Sequence, residues 1–108
     1  MVRFFFEGQL IVETYEAIIL KEVGKKIYDP TFYIPKTELD IDRFIKNNHT
    51  YECPIKGLAS YWDFMVNKNA IARNIAWSYE SPIEYSRPIE GCLAFDTKQV
   101  TIELSPYQ

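Results

Sequence analysis

Residues 58–66 alternate with a period that suits a β-strand with one face turned inward. Leu58, Ser60, Trp62, Phe64 and Val66 fall on one side of it, and Ala59, Tyr61, Asp63 and Met65 on the other. Asn67-Lys68-Asn69 is a turn signal, and residues 70–79 return as the partner strand. Other short runs repeat the pattern. Residues 3–6 and 9–14 flank Glu7-Gly8, a two-residue hairpin signal. Residues 17–23 form an apolar run closed by Gly24-Lys25-Lys26. Residues 27–34 are broken by Asp29-Pro30, and proline cannot donate to a ladder, so this segment reads as an edge strand or a bent connection. Residues 92–95 and 100–104 flank Asp96-Thr97-Lys98-Gln99, with Val100, Ile102 and Leu104 facing inward.

One helix candidate interrupts these runs. Over residues 37–47, Thr37 is placed to cap, Leu39, Ile41, Phe44 and Ile45 share a rough face, and Asn47-Asn48 ends the segment. The chain has 108 residues, 47% of them hydrophobic and 16% aromatic, enough for one domain with one core and weighted toward strands. The expected fold is a mainly β single domain over residues 1–108: short antiparallel strands in a folded-over sheet or two packed sheets, with one short helix.

The net charge is −3, and the twelve Lys and Arg residues are scattered rather than clustered, which argues against a nucleic-acid partner. No apolar run approaches the ~20 residues that span a bilayer. The opening Met-Val-Arg-Phe-Phe-Phe-Glu is too short in its apolar part to be a signal peptide. A cytoplasmic protein without a membrane partner is expected, with both cysteines as reduced thiols. A Cys53–Cys92 disulfide would need oxidising conditions or a redox switch.

Specialised side chains concentrate in residues 51–82. Cys53 has two readings: a small buried apolar side chain, or a reactive thiol with the cation of Lys56 three residues on. Cys92, in an apolar run, reads as core. Lys56, in Cys53-Pro54-Ile55-Lys56-Gly57, reads either as an anion hook beside backbone amides near a glycine or as a solvated lysine paired with Glu52 or Glu80. Without the glycine-rich run or a following Ser/Thr it is no P-loop. Tyr61 and Trp62 alternate faces, whereas Trp77 and Tyr79 share one. Trp62 reads as cross-strand core packing, while Trp77 and Tyr79, with Glu80 and Pro82 beside them, read as the wall of a slot for a flat ligand. His49 lies in a polar stretch and reads as solvated, although it precedes Cys53 by four residues. No spacing supports a metal site, and nothing local makes Glu38, Asp63 and Glu80 converge.

Four elements then carry a family likeness: Tyr33-Ile34-Pro35 with Glu38; Cys53-Pro54-Ile55-Lys56-Gly57 followed by Ala59-Ser60-Tyr61-Trp62; Asn74-Ile75-Ala76-Trp77-Ser78-Tyr79-Glu80 with Pro82; and Pro88-Ile89-Glu90-Gly91 running to Phe95. In their order and spread the chain resembles the domain of unknown function 427 family, sometimes labelled nucleotidyltransferase-like. The family usually has aspartate where this chain has Glu38. The resemblance implies a small, mostly β, single-domain fold and no established reaction.

Three functions are open at this point. The first is a pocket for a small anionic or nucleotide-like molecule, with Cys53 and Lys56 as candidate catalytic groups and Tyr61, Trp77, Tyr79 and Glu80 as ligand-binding ones. The second is a thiol-dependent enzyme or redox protein acting through Cys53. The third is a protein-interaction domain docking through an uncovered edge at Phe4-Phe5-Phe6 or residues 28–33. Cofactor, substrate and oligomeric state, a homodimer included, are not legible.

Overall fold

A computed structural model describes residues 1–20, 31–54 and 56–106. The hairpin signals become hairpins. β1 (Val2–Phe6) and β2 (Gln9–Thr14) turn through Glu7 and Gly8, which both take positive φ (47° and 82°), as a two-residue hairpin turn of the primed type requires. β3 (Ile18–Leu20) and β4 (Thr31–Pro35) follow, then the long strands β5 (Phe44–Cys53), β6 (Gly57–Asn67) and β7 (Ala70–Tyr79), and finally β8 (Cys92–Phe95) and β9 (Thr101–Leu104). The Gly24-Lys25-Lys26 closure, the Asp29-Pro30 break and Tyr28 lie outside the described residues.

The strands make two antiparallel sheets, one in the order β2-β1-β9 and one in the order β3-β4-β8-β7-β6-β5. The small sheet contributes Val2, Phe4 and Val12 to a core whose other side is Ile34, Phe44, Phe64, Ile75, Leu93 and Phe95 of the large sheet. Phe95 joins them, stacking on Phe4 at 5.0 Å between ring centroids and meeting Phe44 edge-on at 5.9 Å. The large sheet is covered on its other face as well. There Tyr33, Ala59, Tyr79, Cys92 and Ala94 pack with Ile89, delivered by a 3₁₀ turn over Glu84–Ile89.

Three expectations change. The segment over residues 37–47 is not a helix: 3₁₀ turns at Lys36–Glu38 and Ile41–Arg43 precede β5, and Leu39 between them is extended. The apolar face was incomplete, since Leu39 and Phe44 are buried while Ile41 and Ile45 are exposed. Phe44 instead pairs with Phe64 across the β5–β6 ladder, and that ladder satisfies the backbone more fully than a short helix would. Thr37 caps nothing. The supposed uncovered edges are interior strands: β1 runs between β2 and β9, β4 between β3 and β8, and Phe4 and Tyr33 are each only 1% exposed. Lastly, the alternation of residues 58–66 holds, but the inward face does not extend to its first member. Ser60 to Val66 keep their faces, but Leu58 is exposed, as is Leu104 at the end of β9.

Among the described residues no helix is long and apolar enough to cross a membrane. Because Phe4 anchors the small sheet on the large one, Phe4→Ala is expected to cost about 3–5 kcal/mol, read as a lower urea midpoint at unchanged slope.

Candidate functional site

The face of the large sheet away from the small one carries a cleft, and the sizes of its side chains explain it. Antiparallel register sets Tyr51, Ala59 and Tyr79 in one row across β5, β6 and β7, and sets Tyr61, Trp77, Ala94 and Tyr33 in the next across β6, β7, β8 and β4. Each row therefore has an alanine between aromatics, and Ala59 becomes a floor between tall walls. The resulting hollow has a volume of about 200 Å³, lined by Tyr51, Tyr61, Trp77, Tyr79 and Tyr33 around Ala59, together with Thr31 and Lys56. Tyr61 and Trp77 tilt toward each other at 6.3 Å.

Lys56 belongs to the turn between β5 and β6. Gly57 follows it at φ +111°, a conformation that strains any side chain, and the Ser81 carbonyl lies 3.4 Å from where its Cβ would stand. The Ile83 N–H donates to the Lys56 carbonyl at 2.8 Å, fastening this turn to the segment after β7. The lysine is 5% exposed, not a solvated surface residue, and its ammonium stands 5.9 Å from the centre of the Tyr79 ring. Burial holds its pKa below the ordinary lysine value.

The tyrosines respond to the same burial. Desolvation, with a further contribution from Cys53, pushes the Tyr33 pKa up to about 12. The Tyr79 phenol is raised by burial first, then by Cys53 and Tyr33. Both hydroxyls therefore stay protonated donors at neutral pH. Cys53 is half-buried against this group, whereas Cys92 is buried within it and its thiol pKa is raised by desolvation, partly offset by Lys36. Both cysteines are free thiols.

Cys53, Lys56, Tyr61, Trp77 and Tyr79 thus gather on one face, together with Tyr33 and Tyr51. Glu80 does not join them. It lies on the opposite face, where Lys36 Nζ reaches its two carboxylate oxygens at 3.1 and 3.2 Å, Lys46 Nζ stands at 3.7 Å and Ser78 Oγ donates at 2.9 Å. Trp62 belongs to this second group: its indole N–H donates to Ser78 Oγ at 2.9 Å, and Lys36 and Lys46 lie 5.0 and 5.9 Å from its ring. Burial raises the Glu80 pKa, but the hydrogen bonds from Lys36 and Ser78 and the two lysine charges outweigh it, and the net shift is downward.

The remaining candidates are scattered. Glu38 accepts from Thr14 Oγ1 at 2.5 Å, tying the end of β2 to the first 3₁₀ turn. Asp63 is buried at paired bulges, where its Oδ1 accepts from Asn47 Nδ2 and from the backbone of Asn74, each at 2.8 Å. Asn74 takes φ +52° there. These side chains, with His49 and Arg73, border a polar hollow of about 340 Å³. His49 rests on Tyr61 at 4.5 Å. Among the described residues no three His, Cys, Asp or Glu side chains group to hold a metal ion.

The family model described as Domain of unknown function (DUF427) matches residues 1–105, and the chain belongs to that family. No curated protein matches it.

The Glu80 network gives a pH test. A carboxyl lowered in the folded state adds stability above its unfolded pKa, near 4.5, and loses it as pH falls through the folded value. Glu80→Gln is expected to cost about 1 kcal/mol at pH 7, small because the carboxylate is more than a third exposed, and the difference from wild type should vanish in thermal melts taken well below pH 4.5.

Proposed function

We propose that the protein binds a small flat anion in the cleft over Ala59, with the Lys56 ammonium as its charge partner and Tyr61, Trp77 and Tyr79 as its walls. The observation that carries this reading is the burial of Lys56 in the lining of an aromatic hollow. Its pKa is lowered, so desolvation outweighs what the surroundings return to the charged form. A carboxylate or similar oxyanion entering the cleft would favour the ammonium, and in a partly dry site that attraction is several times its strength in water. The Tyr33 and Tyr79 phenols beside it stay neutral, so they add no negative charge that would repel an anion.

Size narrows the class. A volume of about 200 Å³ lies below the ~300–1,000 Å³ of most small-molecule sites, which supports one ring with one anionic group rather than a whole nucleotide. Aromatic walls on β6 and β7 suit a planar body, since ring-on-ring contacts add roughly 0.5–1.5 kcal/mol beyond the area they bury.

Benzoate is a suitable probe. Wild-type protein should show a benzoate-dependent rise in melting temperature and a calorimetric binding isotherm. Lys56→Met and Trp77→Ala should fold but lose the response, with affinity at least about tenfold weaker, equivalent to about 1.4 kcal/mol. Variants that only unfold, or that keep wild-type affinity, would place both side chains in the core and remove the basis of the proposal.

The affinity should also depend on pH in one direction. Bound anion favours the ammonium, so the affinity should weaken as pH rises through the depressed pKa of free Lys56, below the ordinary lysine value of 10.5. Lys56→Met should remove that dependence.

A further inference from the structure

A second hollow adjoins the first. It has a volume of about 420 Å³ and lies where β4 and β8 part company. Their ladder pairs Tyr33 with Ala94, Ile34 with Leu93 and Pro35 with Cys92, and it stops there, leaving Phe32 and Phe95 unpaired across the gap. Phe4 and Ile102 of the small sheet line it with Phe32 and Phe95, and Thr31, Asp96 and Thr97 add a polar part to the same wall. Thr31 and Trp77 line both hollows and form their common boundary, the first hollow on the face away from the small sheet and the second against that sheet.

The chemistry changes across that boundary. On one side stand Lys56 and four tyrosines; on the other are phenylalanine rings and an isoleucine, with Asp96 and Thr97 at their edge. An anion alone would use only the first side. From this we infer that the natural ligand is an amphiphilic monoanion, a ring or short conjugated head bearing one carboxylate or comparable oxyanion, extended by an apolar arm. The head occupies the cleft over Ala59, and the arm passes Trp77 into the gap between Phe32, Phe95 and Ile102. This inference rests on the Lys56 reading of the first cleft and adds the arm. Each methylene that moves from water into the gap contributes about 0.8 kcal/mol, about a fourfold gain in affinity.

A series of 4-alkylbenzoates, from benzoate to 4-hexylbenzoate, tests the two parts separately by calorimetry. The expected result is a dissociation constant that falls severalfold per methylene until the gap is full. Ile102→Trp, which narrows the gap from the small sheet, should leave benzoate affinity at the wild-type value and flatten the series; unchanged benzoate binding also shows that the variant is folded. If benzoate binds and the wild-type series is flat, the inference is overturned while the Lys56 reading stands. A series that steepens equally in wild type and in an Ile102→Trp variant with normal benzoate affinity overturns it too, because the arm then lies elsewhere. Absence of benzoate and alkylbenzoate binding alike would instead defeat the Lys56 reading itself.

Discussion

Four residues in the middle of the large sheet hold the molecule together by facing two ways. β8 is buried at every position: Leu93 and Phe95 belong to the core shared with the small sheet, and Cys92 and Ala94 to the core under the Glu84–Ile89 turn. Successive residues of a strand point to opposite faces, so neither core can change without shifting the other. The Phe95 stack on Phe4 fixes where the small sheet sits, and the small side chain of Ala94, one residue away, leaves room between Trp77 and Tyr33 on the reverse. The cleft is in this sense a by-product of a strand that must be large on one face and small on the other.

The two faces treat their lysines differently. Lys36 and Lys46 are half-exposed, share Glu80 and lie over Trp62, an arrangement in which water and a carboxylate meet the charge. Lys56 is desolvated beside a tyrosine ring, and its lowered pKa records a free-energy cost that folding has to carry. Perturbed groups of this kind cluster at functional sites, and a side chain kept at the expense of stability is more readily explained by binding than by packing. The Glu80 group stabilises; the Lys56 group, on the reading proposed above, serves binding.

Much of the fold was legible because its signals are local. Glu7-Gly8 and Asn67-Lys68-Asn69 sit at the tips of their hairpins, and the alternation of residues 58–66 correctly sent Tyr61 and Trp62 to opposite faces. The same period contained an answer that sequence adjacency obscured: if Trp77 and Tyr79 share a face, Glu80 belongs with Ser78, and so it does. Strand order was not legible. That β4 lies beside β8, bringing Tyr33 to Ala94, is a contact between residues about sixty positions apart, and no pattern in either segment encodes it. The burial of Lys56 was hidden for a similar reason. The turn's own residues leave Lys56 open between an anion hook and a solvated lysine, and the segment at Ser81 and Ile83 that folds onto the turn is distant from anything local to it.

Bulges supply the last constraint on the cleft. Three residues of β5, Asn47 to His49, oppose Tyr61 alone, and three of β7, Arg73 to Ile75, oppose Asp63 alone. Each adds local twist to a strand bordering the aromatic rows, and both are pinned from β6 by Asp63, which holds Asn47 and the backbone of Asn74 together. Gln99 braces the β7 bulge from the other side, donating to the Arg73 carbonyl at 3.1 Å. Without this bracing the left-handed Asn74 would carry its strain uncompensated, and the strand would relax toward regular pairing. A regular β7 would shift register by two residues beyond Asp63, carrying Trp77 and Tyr79 off Tyr61 and Ala59 and out of line with Lys56. The polar network at Asp63 therefore acts on the cleft at a distance, by setting which aromatic residues stand opposite the alanine floor.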